Sequence, residues 1–228
     1  MILKLQLVPA PIMTALIRRI RGQSEKRKAM YIKFGKRALD VILSFVACVV
    51  LSPILLVSAL AVKLDSKGPV FFKQKRVAKG KTYFNILKFR TMYTETPKDM
   101  PTHLLKDPDA YITKVGRFLR KTSLDELPQL FNILKGDMAI VGPRPALWNQ
   151  YDLLEARDKG LSNQIRPGLT GWAQIHGRDE LEIDVKAAYD NEYADKISLG
   201  MDIRCIFGTV LCVLKQDGVM EGGPTAGK

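Results

Sequence analysis

Residues 120–145, RKTSLDELPQLFNILKGDMAIVGPRP, set two adjacent carboxylates, Asp125 and Glu126, close behind Arg117, Arg120 and Lys121. Acids at a helix start beside cations are the parts of a phosphate-handling site, because the positive helix end favours an incoming phosphate as well as the carboxylates. An aspartate, a divalent cation and a diphosphate can meet there. A structural reading competes: Ser123 and Glu126 fit a capping box, in which the carboxylate merely closes the first helical turn. Pro128 argues against that register, since a proline five residues past the cap removes a bond the helix needs. With Asp125 near the cap, Pro128 falls in the first turn, where proline is tolerated. These residues alone admit both a catalytic dyad and a helix cap.

The elements that must hold this pair follow from periodicity. Residues 111–134 have helical spacing, and GDMAIVGPRP reads as a buried strand ending in a rigid turn. The stretch GPVFFKQKRVAKGKTYFNILKFRTM has β-branched and aromatic residues around Gly80, which predicts strands joined by a turn. Residues 94–110 are polar and proline-rich, hence loop, and a second loop-rich block holds IRPGLTGWAQIHGR. A last apolar helix is predicted over 201–214, and the Gly/Pro tail 215–228 is expected to be disordered. The expected fold class is α/β, mixed and mainly helical, in a small domain over 65–214.

Residues 41–62 carry no charge. At about 1.5 Å per residue such a run just crosses a bilayer core of roughly 30 Å. Pro53 interrupts it, removing a backbone donor, and the neighbouring Ser52 hydroxyl can bond the released carbonyl. Lys33, Lys36 and Arg37 precede the run, while Lys63, Lys67, Lys73, Lys75 and Arg76 follow it. A simple span would strand one basic cluster on the outer side. The expectation is therefore a re-entrant anchor over 33–64, made of two half-helices of about eleven residues that enter and leave by one face. A kinked span and a buried core hairpin are the alternatives.

The formal charge of +13 is concentrated around that run: residues 1–40 hold ten Lys/Arg against Glu25 and Asp40, and residues 63–90 hold nine against Asp65. This pattern points to anionic lipid or phosphorylated ligands, with no nucleic acid expected as partner. Residues 12–37 mix apolar and basic positions as an interfacial helix does, although a solvated basic tail fits as well; the N-terminal segment is taken as 1–32. Pro9 and Pro11 interrupt any signal-peptide pattern, so secretion is not expected. Cys48, Cys205 and Cys212 have no paired spacing and are expected as buried thiols in a reducing compartment.

The chain resembles the bacterial sugar transferase family, the monotopic phosphoglycosyltransferases that start glycan assembly on polyprenyl phosphate. The resemblance runs from about residue 33 to 214 and rests on ordered motifs: the Ser52-Pro53 break, KFRTM, KTSLDELPQLFNILKGDMAIVGPRP, RPGLTGWAQIHGR and SLGMDI. It implies transfer of a phosphosugar from a UDP-sugar to polyprenyl phosphate, with UMP released, at the cytoplasmic leaflet of the bacterial inner membrane. Asp125 matches the family's nucleophile and Glu126 its partner, with Mg²⁺ as the implied cofactor near both. Glu126 is then either a metal ligand or a base. Lys88, Arg90, Arg120, Arg144, Arg178 and Asp202 are implied as substrate-binding positions, Asp202 and Arg178 with a possible metal role. Arg166 can equally brace a loop, His176 reads as structural, and the isolated His103 and His176 make no metal site. Trp148 and Trp172 either anchor at an interface or fill the core. Two other functions stay open: direct transfer in a ternary complex, and a non-enzymatic basic adaptor at the membrane surface.

Overall fold

The computed structural model describes residues 28–96, 108–177 and 181–215. Arg178, His103, most of the loop at 94–110, nearly all of the basic segment 1–32 and the tail after 215 therefore lie outside the described residues. A π-helical turn, Tyr31–Gly35, leads into helix α1, Lys36–Val50, and helix α2 follows as Ser52–Asp65. Each is longer than the eleven residues expected. The two meet at an angle of 64°. Pro53 has no N–H for the Val49 carbonyl, and Ser52 Oγ donates to that oxygen at 2.8 Å, so the bend leaves no orphaned acceptor there. No single helix among the described residues is long and apolar enough to cross a membrane.

Both ends of the bent pair are tied to the same body of protein. At the start of α1, Arg37 donates to the carbonyls of Ile133 and Leu134 at 2.7 and 3.0 Å, and Asp40 Oδ1 accepts from the Ile140 N–H at 2.9 Å. At the end of α2, Asp65 Oδ2 accepts from the Val115 N–H at 3.1 Å. The middle of the pair is a different surface, with Phe45, Val50, Leu56 and Val57 all exposed. Exposed apolar area on this scale marks an interaction surface.

The expected hairpin is present: β1, Phe71–Val77, runs antiparallel to β2, Tyr83–Phe89, with Gly80 in the turn at φ 66°. Phe84 and Ile86 point inward from alternate positions and pack with Leu130, Ile133 and Met138, and Ala47 and Cys48 of α1 close over them. Lys88 is next on that inward row, which aims its ammonium at residues 125 and 126.

The segment with helical spacing, 111–134, holds separate short elements, and the helix expected to start near Asp125 starts only after Pro128. After the short helix α3, Pro108–Tyr111, come α4, Lys114–Lys121, a 3-10 turn, Leu124–Glu126, and α5, Gln129–Lys135. Thr113 caps α4 by accepting from the Gly116 N–H at 2.9 Å. Gly116 is required by close approach, since a Cβ there would lie 2.1 Å from the Thr91 carbonyl oxygen. Gly136, at φ 103°, closes α5 with its N–H on the Asn132 and Ile133 carbonyls.

The strand read from GDMAIVGPRP is β3, Ala139–Val141, parallel to β4, Gly168–Thr170, and α6, Tyr151–Arg157, lies in the crossover. Helices α7, Ile183–Lys196, and α8, Leu199–Lys215, complete the fold, and the α8 prediction over 201–214 agrees with this element. Val141, Tyr193, Ile197, Met201 and Cys205 form the core between β3 and these helices. Cys205 is a buried free thiol that burial pushes up to about 12; Cys48 and Cys212 are free and half-buried.

Candidate active site

Asp125 and Glu126 lie on the 3-10 turn between α4 and α5, not on a regular helix. Ser123, just before the turn, has left-handed backbone at φ 56° and makes no side-chain cap, so the capping box read from S-x-x-E is absent. Non-glycine residues held in that region store of the order of 1–2 kcal/mol and concentrate at functional sites. The turn is anchored from both sides. Leu124 packs on the core of Val62, Phe89 and Leu119, and Pro128, fully buried, starts α5.

The hairpin and the β3 turn bring two cations to this point. Lys88 Nζ lies 2.7 Å from Glu126 Oε1 and 3.9 Å from Asp125 Oδ2. Arg144 donates to the same Glu126 oxygen at 3.2 Å. Arg120, one turn before the carboxylates on α4, donates from Nε to Thr91 Oγ1 at 2.9 Å, and its charge is felt at Asp125. Gly116 thus serves the site: it lets α4 close on Thr91, which steadies Arg120.

The two carboxyls are shifted in opposite directions. Burial pushes Asp125 above the ordinary aspartate value, Lys88 pulls against that, and the neighbouring Glu126 pushes it up again. Burial acts on Glu126 too, but Lys88 and Arg144 outweigh it and hold that carboxyl well below the ordinary glutamate range. Of the two, Glu126 holds its negative charge the more firmly. Adjacent acids with opposed shifts are the pattern of a working site rather than of a helix cap.

Two residues expected to bind substrate, Arg90 and Asp202, meet other parts of the fold. Arg90 is buried and spends its guanidinium on α2's end: Nε donates to Pro69 O at 2.7 Å, one terminal nitrogen to Ser66 Oγ at 2.6 Å, and the other to Ser66 O at 2.9 Å and Val62 O at 3.4 Å. It fastens the end of α2 and leaves no fork for a diphosphate. Asp202 is buried beneath the start of α1, where it accepts from Tyr31 OH at 2.6 Å, Lys36 Nζ at 2.7 Å and Tyr193 OH at 2.5 Å. Burial and Asp202 both keep the Tyr193 phenol protonated, as a donor must be.

Other residues fall as follows. Arg166 Nε donates to the Gly136 carbonyl at 3.0 Å, a loop brace. His176 Nδ1 is 2.7 Å from the Trp172 carbonyl, and its ring stacks on Tyr189 at 4.7 Å. Trp172 is half-buried with Nε1 on Glu192 at 2.9 Å, and Lys75 stands over the Trp148 ring at 5.3 Å. Arg157 and Asp190 carry no signal in sequence, and Arg76 and Thr91 enter it only as flanking charge and as part of KFRTM; each acts through a contact between distant segments.

Among the described residues no group of three or more His, Cys, Asp or Glu could hold a metal. The donor set of Asp125 and Glu126 nevertheless suits Mg²⁺, which is held by one or two carboxylates together with substrate phosphates rather than by an all-protein cage. Lys88 and Arg144 both meet Oε1 of Glu126.

The sequence matches the Bacterial sugar transferase family over residues 31–216. It is 41% identical over 185 residues, 77% of this chain and 35% of the relative, to an undecaprenyl-phosphate glucose phosphotransferase of Komagataeibacter xylinus. It is 38% identical over 193 residues, 81% of this chain and 45% of the relative, to a UDP-N-acetylgalactosamine-undecaprenyl-phosphate N-acetylgalactosaminephosphotransferase of Aeromonas hydrophila. A UDP-glucose:undecaprenyl-phosphate glucose-1-phosphate transferase of Escherichia coli K12 is 41% identical over 182 residues, 77% of this chain and 39% of the relative. The chain therefore spans less than half the length of these three relatives.

Proposed function

The chain belongs to the bacterial sugar transferase family, and on that premise we propose that it transfers a phosphosugar from a UDP-sugar to membrane polyprenyl phosphate, giving polyprenyl diphosphosugar and UMP. The observation that carries the reading is the Asp125–Glu126 turn with Lys88 and Arg144 on Glu126, which leaves the neighbouring Asp125 as the carboxylate to react. In the first step an Asp125 oxygen attacks the β-phosphorus of the UDP-sugar. The bond from that phosphorus to the bridging oxygen breaks, and its electron pair leaves with UMP. In the second step a polyprenyl phosphate oxygen attacks the same phosphorus and returns Asp125 as a free carboxylate. Splitting the transfer in this way replaces one difficult displacement by two easier ones.

Glu126, held anionic by two cations, is a poor proton acceptor near neutral pH, which favours a metal-holding and cation-holding role over that of a base. Asp125 and Glu126 are the residues that would hold Mg²⁺, whose charge when bound offsets that of the diphosphate. Lys88, Arg120 and Arg144 line the approach as cations for the anionic substrate.

The same reading makes residues 33–64 a re-entrant anchor in the cytoplasmic leaflet and 65–214 the catalytic domain. Its support is that α1 begins and α2 ends on one protein body while the bend between them is apolar and exposed. A straight crossing would separate those two ends by the thickness of the bilayer, about 30 Å.

The test is release of UMP by purified protein with Mg²⁺, first without and then with polyprenyl phosphate, over UDP-glucose, UDP-N-acetylgalactosamine and other UDP-sugars. The expected result without lipid is up to one UMP per active site and the mass of a phosphosugar on the peptide containing Asp125. Turnover with no adduct on rapid quench, and with intersecting steady-state lines, would replace this path by direct transfer in a ternary complex. No UMP from any UDP-sugar would leave the membrane-surface adaptor.

A further inference from the structure

The turn that carries Arg144 is held with unusual completeness. Its four successive carbonyls each have a donor from another element: Pro143 O accepts from the Gly168 N–H at 2.8 Å, Arg144 O from Arg157 at 3.0 Å, Pro145 O from Arg76 at 2.9 Å, and Ala146 O from the Val77 N–H at 3.0 Å. Pro143 and Pro145 fix φ on either side, and a residue before proline is confined to extended backbone. One donor in this set differs from the rest. Arg157 ends α6 and is itself buried, as is Asp190 of α7; Arg157 donates to Asp190 Oδ2 from Nε at 2.9 Å and from a terminal nitrogen at 2.6 Å, and that terminal nitrogen also reaches Arg144 O.

A buried ion pair contributes little stability of its own, because desolvating both charges offsets their attraction, and apolar residues of similar volume often replace one without loss. What this pair adds, and an apolar pair lacks, is a rigid donor on the Arg144 backbone. The planar guanidinium is clamped by Asp190 and presents its remaining N–H in one direction. With the Arg144 carbonyl held and its backbone confined, the side chain leaves the turn toward Glu126, 3.2 Å away.

We propose that Arg157 and Asp190 are positioning residues for the phosphosugar transfer: through the Arg144 carbonyl they set the Arg144–Glu126 contact that orients the reacting pair. This rests on the function proposed above. Neither residue meets substrate. Their effect reaches the site only through Arg144, and that dependence is what separates positioning from general support of the fold.

The experiment is a mutant cycle read as kcat and KM for UMP release with Mg²⁺, the UDP-sugar on which the wild type turns over, and polyprenyl phosphate. The variants are Arg144→Met, the apolar pair Arg157→Met with Asp190→Leu, and all three changes together. Arg144→Met and the apolar pair should each lower kcat/KM by about 10- to 100-fold, the usual loss when a partner of a functional carboxylate is removed. Both should divide that loss between kcat and KM in the same way. In the Arg144→Met background the apolar pair should cost no more than about twofold further, since the contact it supports is already gone. Should the apolar pair fail to fold, Arg157→Lys is put through the same cycle, as it keeps a charge opposite Asp190 but not the planar fork. Losses that multiply in the combined variant, or an unchanged kcat/KM in the apolar pair, would overturn the proposal. Absence of UMP release by the wild type is a separate result; it would remove the parent reading and this inference together.

Discussion

Ser52 Oγ donates to the carbonyl of Val49 at 2.8 Å, taking the place of the N–H that Pro53 lacks. The hydroxyl does not cause the bend; it makes the bend tolerable in an apolar setting, where an unpaired carbonyl costs several kcal/mol, of the order given for groups in hydrocarbon. Leu51, at φ −89° and ψ 3°, takes up the change of direction.

For the anchor, cysteines introduced as Lys33→Cys and Lys73→Cys should both be protected from an impermeant reagent applied outside intact cells. Labelling at either position would show a crossing. Restoring the donor with Pro53→Ala should straighten the pair, and the Lys33 and Lys73 positions would then report whether the tied ends alone keep it folded back.

Asp125→Asn should abolish UMP release and adduct together while raising the melting temperature. The folded-state pKa of Asp125 is raised, so the stability linked to its proton is present below the unfolded value of 3.8 and is lost as pH rises through the folded value. Asparagine removes that loss. The gain in melting temperature should therefore be larger at pH 8 than at pH 4, and a variant less stable than wild type at pH 8 would count against a destabilising buried charge at Asp125.

Gly116→Ala should be severe. Its Cβ would stand 2.1 Å from the Thr91 carbonyl oxygen, and α4 must shift, taking Arg120 with it. The comparison is Gly200→Ala on α8, where nothing lies within 4 Å. That change should stabilise by about 0.5–1 kcal/mol through helix propensity alone. Thermal unfolding of both, with UMP release for Gly116→Ala, checks the contrast.

Asp202→Asn should lower stability without altering recognition of the UDP-sugar. It weakens hydrogen bonds to Lys36, Tyr31 and Tyr193, each worth about 1.5–3 kcal/mol when one partner is charged. Melting temperature should fall by several degrees while KM for the UDP-sugar stays that of wild type. A raised KM with unchanged melting temperature would return Asp202 to the site.

Lys88 and Arg90 illustrate how far one motif can be read. They lie two residues apart in KFRTM with the same charge, and sequence alone gives them the same expectation. In the fold Lys88 ends the inward row of β2 and meets Glu126, whereas Arg90 lies past the strand and turns to the end of α2. Strand alternation and the position of α2 separate them, and neither is visible from residue type.

What the sequence determined by itself is what depends on near neighbours. Pro53 after Ser52 dictates the break, the apolar and aromatic runs on either side of Gly80 make a hairpin, and LDELP puts two acids close to a helix start. Each follows from local sterics, periodicity or an absent N–H, and each appears in the structure. Only the tertiary structure decided which cations meet those acids and which hold the scaffold. Glu126 draws its partners from 38 and 18 residues away, and Asp202 meets Tyr31 across 171. Such pairings depend on where packing closes the chain on itself, because a charged side chain in sequence carries no direction until the backbone beneath it has been placed.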